Sequence, residues 1–419
     1  MLNSRADQNS DQPDRLPRGL VIAQPVDIRR QNFSSILRAV MTHGPVARAD
    51  LATMTGLTTG TVTKLTAILG EAGLLRELAA MPREATPGRP RVPVVIDSDR
   101  FRVVGLHIGL LHTSLCLLNL RGELVSELKL THRRRGSAAV LDEAIGGVRQ
   151  LLAGDDGVAL AVGASTGGWV DADSGVVVEQ VVLGWQDVPV RDVLESALGL
   201  PVRVDSNFRA LALAEHWFGA NAGMANLVQL FVGNVVGAGF LLNGRLYHGS
   251  TSAAGALDHL PVHGRADQPC RCGRRDCLHV VASDIALVRR AREEGVLTRA
   301  EGTEALIAHA RSGDERAARM LARRARQVGT AAGILVELLD PQVVVIGGGV
   351  VDAPEYLEHV QEGAARYLAD KREVDVTSLV RATSFGTHAI SVSSAAVALD
   401  AFYQDPGQFV PVLRELRYG

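Results

Sequence analysis

Cys270-Arg-Cys272-Gly-Arg-Arg-Asp-Cys277 gathers three of the chain's four cysteines into eight residues, with His259 and His263 shortly before it and His279 just after. This is the spacing of a metal knuckle. A C-x-C-G turn aims two thiolates at one ion while Gly273 takes the φ > 0 bend, and Cys277 with one imidazole completes a tetrahedral donor set. Zinc is the expected metal, one structural ion per chain. Three cysteines at this density, in a chain otherwise nearly free of them, make metal-free packing a poor explanation. His259 is the first choice as fourth ligand, with His263 and His279 as rivals.

Around this cluster lies a chain of 419 residues, long enough for two or three domains. It is 47% hydrophobic and 21% charged with 43 glycines, a globular composition, and no run of about 18 apolar residues suggests a membrane span. Residues 1–28 are polar without an apolar signal-peptide core, so a disordered tail and a cytoplasmic protein are expected. Sparse cysteines fit a reducing compartment. The net charge of -2 is unevenly spread: residues 29–96 hold nine Lys/Arg against four Asp/Glu, a local +5, whereas residues 97–419 hold 32 against 38, a local -6. The basic end is the expected anion-binding end.

That end reads as three helices. Asn32 to Thr42 places Ile36, Leu37, Val40 and Met41 on one stripe before His43-Gly44-Pro45 ends it. In a second helix, Ala47 to Met54, Leu51 and Met54 are expected to face inward. Thr55-Gly56-Leu57 makes a tight turn, and Thr58 caps a third helix running to about Glu71. Val62, Leu65, Ile68 and Leu69 form its apolar face, leaving Thr59, Gly60, Thr61, Thr63 and Lys64 on the outward side. Short hydroxyls and one lysine suit a major groove. A two-strand wing is expected beyond it, with Arg89 and Arg91 in Gly88-Arg89-Pro90-Arg91 placed to enter a minor groove. Residues 29–97 therefore read as an α+β winged helix-turn-helix, with Thr58, Thr59, Thr61, Thr63, Lys64, Arg89 and Arg91 as DNA contacts.

From Phe101 strands alternate with helices. Strands are expected at Phe101 to Gly109, His112 to Leu120, Leu124 to Thr131, Val158 to Gly163 and Val202 to Val204, with helices at 138–153, 189–199 and 207–219. A second β-rich block begins at Asn226, long helices dominate 283–339, and Gln342 to Ile346 is a buried strand ending in Gly347-Gly348-Gly349.

The winged helix, then Leu183-Gly-Trp-Gln-Asp-Val-Pro189, Phe240-Leu-Leu-Asn-Gly-Arg-Leu-Tyr-His-Gly249, the knuckle, and Leu339-Asp-Pro-Gln-Val-Val-Val-Ile-Gly-Gly-Gly349 together resemble the ROK family of repressors, open reading frames and sugar kinases, from about residue 30 to 400. The resemblance implies a two-lobed α/β actin-like, ribonuclease-H-like sugar-kinase body. Its lobes would be 98–206 plus 388–419, and 207–387 with the knuckle. It also implies His259 as zinc ligand, although the gap to Cys270 is about one residue longer than usual and leaves His263 open.

The same resemblance marks departures. Kinases of the family carry Asp-x-Gly-Gly-Thr after the first strand, whose aspartate organises Mg²⁺; here it is His107-Ile108-Gly109-Leu110-Leu111. Gly-Thr-Gly-x-Gly becomes Gly233-Asn234-Val235-Val236-Gly237. The catalytic Asp of Asn-Asp-Ala-Asn becomes Asn207 in Asp205-Ser206-Asn207-Phe208-Arg209, and an amide is no general base near neutral pH. Gly-Glu-x-Gly-His becomes Gly255-Ala256-Leu257-Asp258-His259, and the sugar-binding Glu after the last cysteine becomes His279. Trp169 and Trp185 are read as core or cleft wall.

The expectation is a cytoplasmic, nucleoid-associated transcriptional regulator, with repression the default sign. It would bind double-stranded operator DNA as a homodimer or homotetramer, with no catalytic residues and no membrane partner. A sugar, sugar phosphate or protein partner would be sensed near Thr166, Gly167, Ser206, Asn207 and His279. The alternative is an active ATP-dependent sugar kinase fused to a DNA-binding domain.

Overall fold

The computed structural model describes residues 25–79, 92–133, 136–262, 264–369, 375–411 and 413. Arg89, Arg91, His263 and most of the expected tail lie outside them.

The first helix is longer than its apolar stripe suggested, running Pro25–His43, and is followed by helices Arg48–Thr55 and Thr59–Glu71. Gly56 at φ 70 caps the second helix in the left-handed region, and Thr58 caps the third by accepting from the Thr61 N-H. Leu75–Glu77 and Pro93–Ile96 then pair antiparallel, with Val46–Ala47 on the other side of Pro93–Ile96. Met54 does not face inward: it is 45% exposed, and the half-buried Leu57 beyond the turn packs on the core instead. Gly56 reverses the chain before the second helix can complete another inward turn.

The body contains two five-stranded sheets of identical order. In the first, Phe101–Ile108 is central, with His112–Asn119 and Leu124–Thr131 antiparallel on one side and Val158–Thr166 and Val202–Ser206 parallel on the other. In the second, Leu227–Val232 is central, flanked in the same way by Val236–Leu242 and Arg245–Tyr247, and by Val343–Gly347 and Val380–Ala382. Every residue of Val343–Gly347 is buried, as a parallel strand covered on both faces must be. A small sheet that hydrophobic pattern did not announce, Trp169–Asp171, Val176–Gln180 and Trp185–Val188, branches from the first lobe.

Two helices join these parts. Ala389–Gln404 lies on the first sheet, where Gly105 and Gly163 permit the approach: a Cβ at Gly163 would stand 2.0 Å from the Ser394 carbonyl oxygen. Ser391, Ser394, Ala395 and Ala398 keep the facing side of the helix small. Asn207–Phe218 is buried over almost its whole length, and Phe208 fits against Gly237 in the second sheet. At its far end Trp217 stacks on Tyr403 at 4.9 Å, and the Arg38 guanidinium lies 5.2 Å from the Trp217 ring. Ser34 on the first helix donates to the Tyr403 carbonyl at 2.7 Å. Phe33, Ile36 and Leu37 share one core with Trp217, Phe402 and Tyr403, so the N-terminal helices are packed onto the body rather than tethered to it.

Candidate functional site

The metal donors are brought together by backbone pairing. Val262 N-H donates to the Asp276 carbonyl at 2.9 Å and Leu278 N-H to Leu260 at 2.8 Å, which sets His259 beside the cysteine loop. Within the loop, Gly273 takes φ 87 and donates to the Cys270 carbonyl at 2.8 Å. His259 Nδ1 lies 3.3 Å from Cys270 Sγ, Cys272 and Cys277 sulfurs are 3.4 Å apart, and all four donor atoms fall within 4.8 Å of one another. Tetrahedral zinc, with bonds of about 2.0 to 2.3 Å, needs ligand separations of about 3.5 to 3.8 Å, so the donor set fits. The Arg274 backbone N-H directed at Cys272 draws that thiol down to about 6, toward the thiolate a metal requires. His279 stands outside the cluster. Half-buried, it has its pKa lowered by burial, with Asp258 opposing.

A second group of polar residues sits at the start of helix Asn207–Phe218. Asp205 is buried and fully engaged: Arg209 Nε approaches its Oδ1 at 2.5 Å, and His248 Nε2 its Oδ2 at 2.9 Å. Burial opposes ionisation of Asp205, but Arg209 and His248 outweigh it and hold the carboxyl below its usual range. Arg209 also donates to the carbonyls of Ser252 at 2.8 Å and Val170 at 2.7 Å, so one guanidinium ties the two lobes together. Spacing alone offered a signal for this pair, since Asp205 and Arg209 stand four residues apart across a helix start. Beside them Ser206 Oγ and Asn207 Oδ1 are buried without a hydrogen-bond partner. Thr166, by contrast, is satisfied, donating to the Ile108 carbonyl at 2.8 Å. Gly167 faces Val235: an added Cβ would lie 2.8 Å from its side chain. The structure thus groups Ser206 and Asn207, sets Thr166 in register with Ser206 at the end of the neighbouring parallel strand with Gly167 just beyond it, and leaves His279 by the knuckle.

On the N-terminal unit, Thr58, Thr59, Thr63 and Lys64 are exposed and Thr61 is half-buried. Thr58 and Thr61 hydroxyls are 2.9 Å apart, and Thr63 donates to the Thr59 carbonyl at 2.8 Å. Arg48 is a residue the sequence reading passed over. It donates to Thr66 Oγ1 at 2.9 Å and pairs with Glu77 at 2.5 Å, bracing the third helix against the strand pair.

The ROK family profile matches residues 103–400. The chain belongs to the ROK family. The transcriptional regulator Rv0485 of Mycobacterium tuberculosis H37Rv is 34% identical over 390 residues, 89% of this chain and 86% of that protein. A glucokinase of Halalkalibacterium halodurans is 31% identical over 306 residues, covering 67% of this chain and 92% of its own. A crystal structure described as a ROK family transcriptional regulator, homolog of E. coli MLC protein, superposes with a TM-score of 0.76 at 23% identity, covering 93% of this chain and 99% of that one.

Against the kinase pattern of the ROK family, the altered loops have definite geometry. His107 does not stand in for a magnesium carboxylate: buried, its Nδ1 lies 3.0 Å from Ser165 Oγ, and burial pushes the imidazole down to about 4. Gly109 N-H donates to the His112 carbonyl at 2.9 Å, closing a tight hairpin on which Leu110 and Leu111 are exposed. Gly348 and Gly349 are required by internal packing, since a Cβ at either would meet the Val232 carbonyl or the Asp284 carboxylate at 2.5 Å. Of the two tryptophans expected in the core or cleft wall, Trp185 is core, and Trp169 is 41% exposed and donates to the Thr251 carbonyl at 3.0 Å across the lobes.

Proposed function

We propose that this ROK transcriptional regulator binds double-stranded operator DNA through an N-terminal winged helix-turn-helix and senses a ligand or partner in a catalytically inactive interlobe cleft. The observation that carries the reading is the pair Asp205 and Asn207. The only carboxylate at this helix start among the described residues is committed to Arg209 and His248, and the family's base position holds an amide. Ser206 Oγ and Asn207 Oδ1 can accept and orient hydroxyls but cannot remove a proton. A sugar or sugar phosphate suits them, held with Thr166, Gly167 and His279. The glucokinase relative favours the alternative of an active kinase; loss of the base alone costs about 10² to 10⁴ in rate.

In this reading Thr58, Thr59, Thr61, Thr63 and Lys64 face the major groove, and Arg89 and Arg91 reach a flanking minor groove. One such unit contacts too little DNA for genomic specificity, so a homodimer or homotetramer on a palindromic site is proposed, cytoplasmic and nucleoid-associated, with repression as its default effect. His259, Cys270, Cys272 and Cys277 hold one structural Zn²⁺. In this reading helix Asn207–Phe218 carries the signal: it begins at Asn207, in the proposed ligand site, and its one tryptophan, Trp217, lies 5.2 Å from the Arg38 guanidinium of the DNA-binding unit.

The test pairs two assays on the full chain. Sugars and sugar phosphates are added to the protein on its operator in an anisotropy titration, and ATP-dependent phosphorylation of the same sugars is followed. The reading expects weakened DNA binding with at least one compound and no phosphorylation by the wild type; turnover lost on Asn207→Ala would establish the kinase instead.

A further inference from the structure

Away from the interlobe cleft, a cavity of about 460 Å³ opens between the long helix Glu315–Leu339, the helix Leu357–Leu368 and the loop that carries the metal donors. This volume lies within the range of about 300 to 1,000 Å³ typical of small-molecule sites. Its walls are fixed by glycines. A Cβ at Gly329 would stand 2.0 Å from the Val360 carbonyl oxygen and one at Gly363 2.2 Å from that of Arg326, so the two helices touch backbone to backbone and the cavity is preformed. Gly264, at φ 148 in the loop between His259 and Cys270, closes the third side, where a side chain would collide with the Gln327 amide.

Three arginines, Arg323, Arg326 and Arg366, line this cavity. Arg326 is paired with Glu362 at 3.0 Å. Arg323 and Arg366 have no carboxylate partner among the described residues. Deeper in, Gln327 is 4% exposed and its Oε1 has no hydrogen-bond partner; Thr330 beside it is also buried. Both are exposed at the mouth of the cavity, which they leave positively charged, and their planar donor forks match phosphate oxygens. An orphaned buried amide oxygen calls for a donor such as a hydroxyl.

We propose that this cavity is a second ligand site that takes a small phosphate monoester, its phosphate on Arg323 and Arg366 and a hydroxyl of its organic part on Gln327 Oε1. A bare anion would leave Gln327 unmet, and a duplex backbone is too broad to reach it. The site is separate from the cleft and from the DNA-reading helix, so its failure would leave the proposed function standing.

The experiment is isothermal titration of the metal-loaded full chain with glucose 6-phosphate, inorganic phosphate and glucose at physiological ionic strength. On a Ser206→Ala/Asn207→Ala background, which removes the cleft's hydroxyl acceptors, the two phosphates should bind and glucose alone should not. Arg323→Gln with Arg366→Gln should weaken phosphate binding at least about tenfold without changing the thermal midpoint. Gln327→Leu should narrow the preference for the ester over inorganic phosphate. A Ser206→Ala/Asn207→Ala variant should keep this binding. The proposal is overturned if neither phosphate binds, if the arginine variant binds both as the wild type does, or if only the cleft variant loses them.

Discussion

The knuckle and the cleft differ in what their side chains are free to do. At the knuckle, four donors of the right chemistry converge within 4.8 Å and each is available to an ion. At the cleft, the ionisable groups are already engaged with neighbours: His107 is turned to Ser165, Asp205 is locked between Arg209 and His248, and Asn207 beside them offers only an amide. Under the proposed function, a metal scaffold beside a cleft without reacting groups is a part for holding shape. If the proposed function holds, the contrast teaches that a kinase-like architecture, two sheets of identical order about a cleft, can be kept for what it positions rather than for what it catalyses.

The strongest way to break the contrast is at the knuckle. Cys277→Ser should lose the metal, with elemental analysis falling from about one ion per chain to near zero, and should destabilise the fold by about 4 kcal/mol or more in denaturant titration. An unchanged midpoint would mean that the cluster holds no structural ion. Next comes the cleft's ion pair. Arg209→Ala leaves Asp205 buried and without its guanidinium, which should cost about 3 to 5 kcal/mol, whereas Arg209→Met with Asp205→Asn should recover much of it. Equal losses in the single and double variants would assign the effect to packing and not to charge.

A smaller effect is read through pH. In the unfolded chain His107 takes up a proton near its ordinary 6.5, but folded only near 4, because burial disfavours the cation. The unfolded state therefore binds more protons between these values. His107 should make stability fall by about 3 kcal/mol as pH drops from 6.5 to 4, with little further change outside that window. Other histidines titrate nearby, so the measurement is the difference between wild type and His107→Gln, whose stability curve should be flatter by that amount. Parallel curves would mean that folded His107 takes up its proton where the unfolded residue does. Smallest is Lys64→Ala, which should weaken DNA binding across all sequences and reduce the salt slope by about 1, whereas Thr59→Ala should alter base preference.

Much of this was legible in the sequence because the signals were local. Cysteine spacing announced the knuckle, and strand periodicity placed Leu124–Thr131 to the residue. The third helix followed from the Thr58 cap and its stripe. What stayed hidden depended on partners distant in the chain. Pro25 to Gln31 extends the first helix without a stripe of its own, with Arg30 reaching Asp405 beyond the C-terminal helix at 3.5 Å, and Met54 is exposed because Gly56 turns the chain. Arg209 is recognisable as an interlobe clamp only when Val170 and Ser252 are seen on either side of it. The small sheet at Trp169–Val188 consists of strands of three to five residues, too short for alternation to register.

The central claim is that the chain reads specific DNA with its third helix. The most direct measurement is recovery of genomic fragments on the purified full chain, followed by affinity measurement on the enriched fragment for wild type and a Thr59→Ala/Thr63→Ala/Lys64→Ala variant. A discrete fragment bound tightly by the wild type, and reduced to non-specific affinity in the variant, is the predicted result. No enriched fragment, or equal affinity in both proteins, would contradict it.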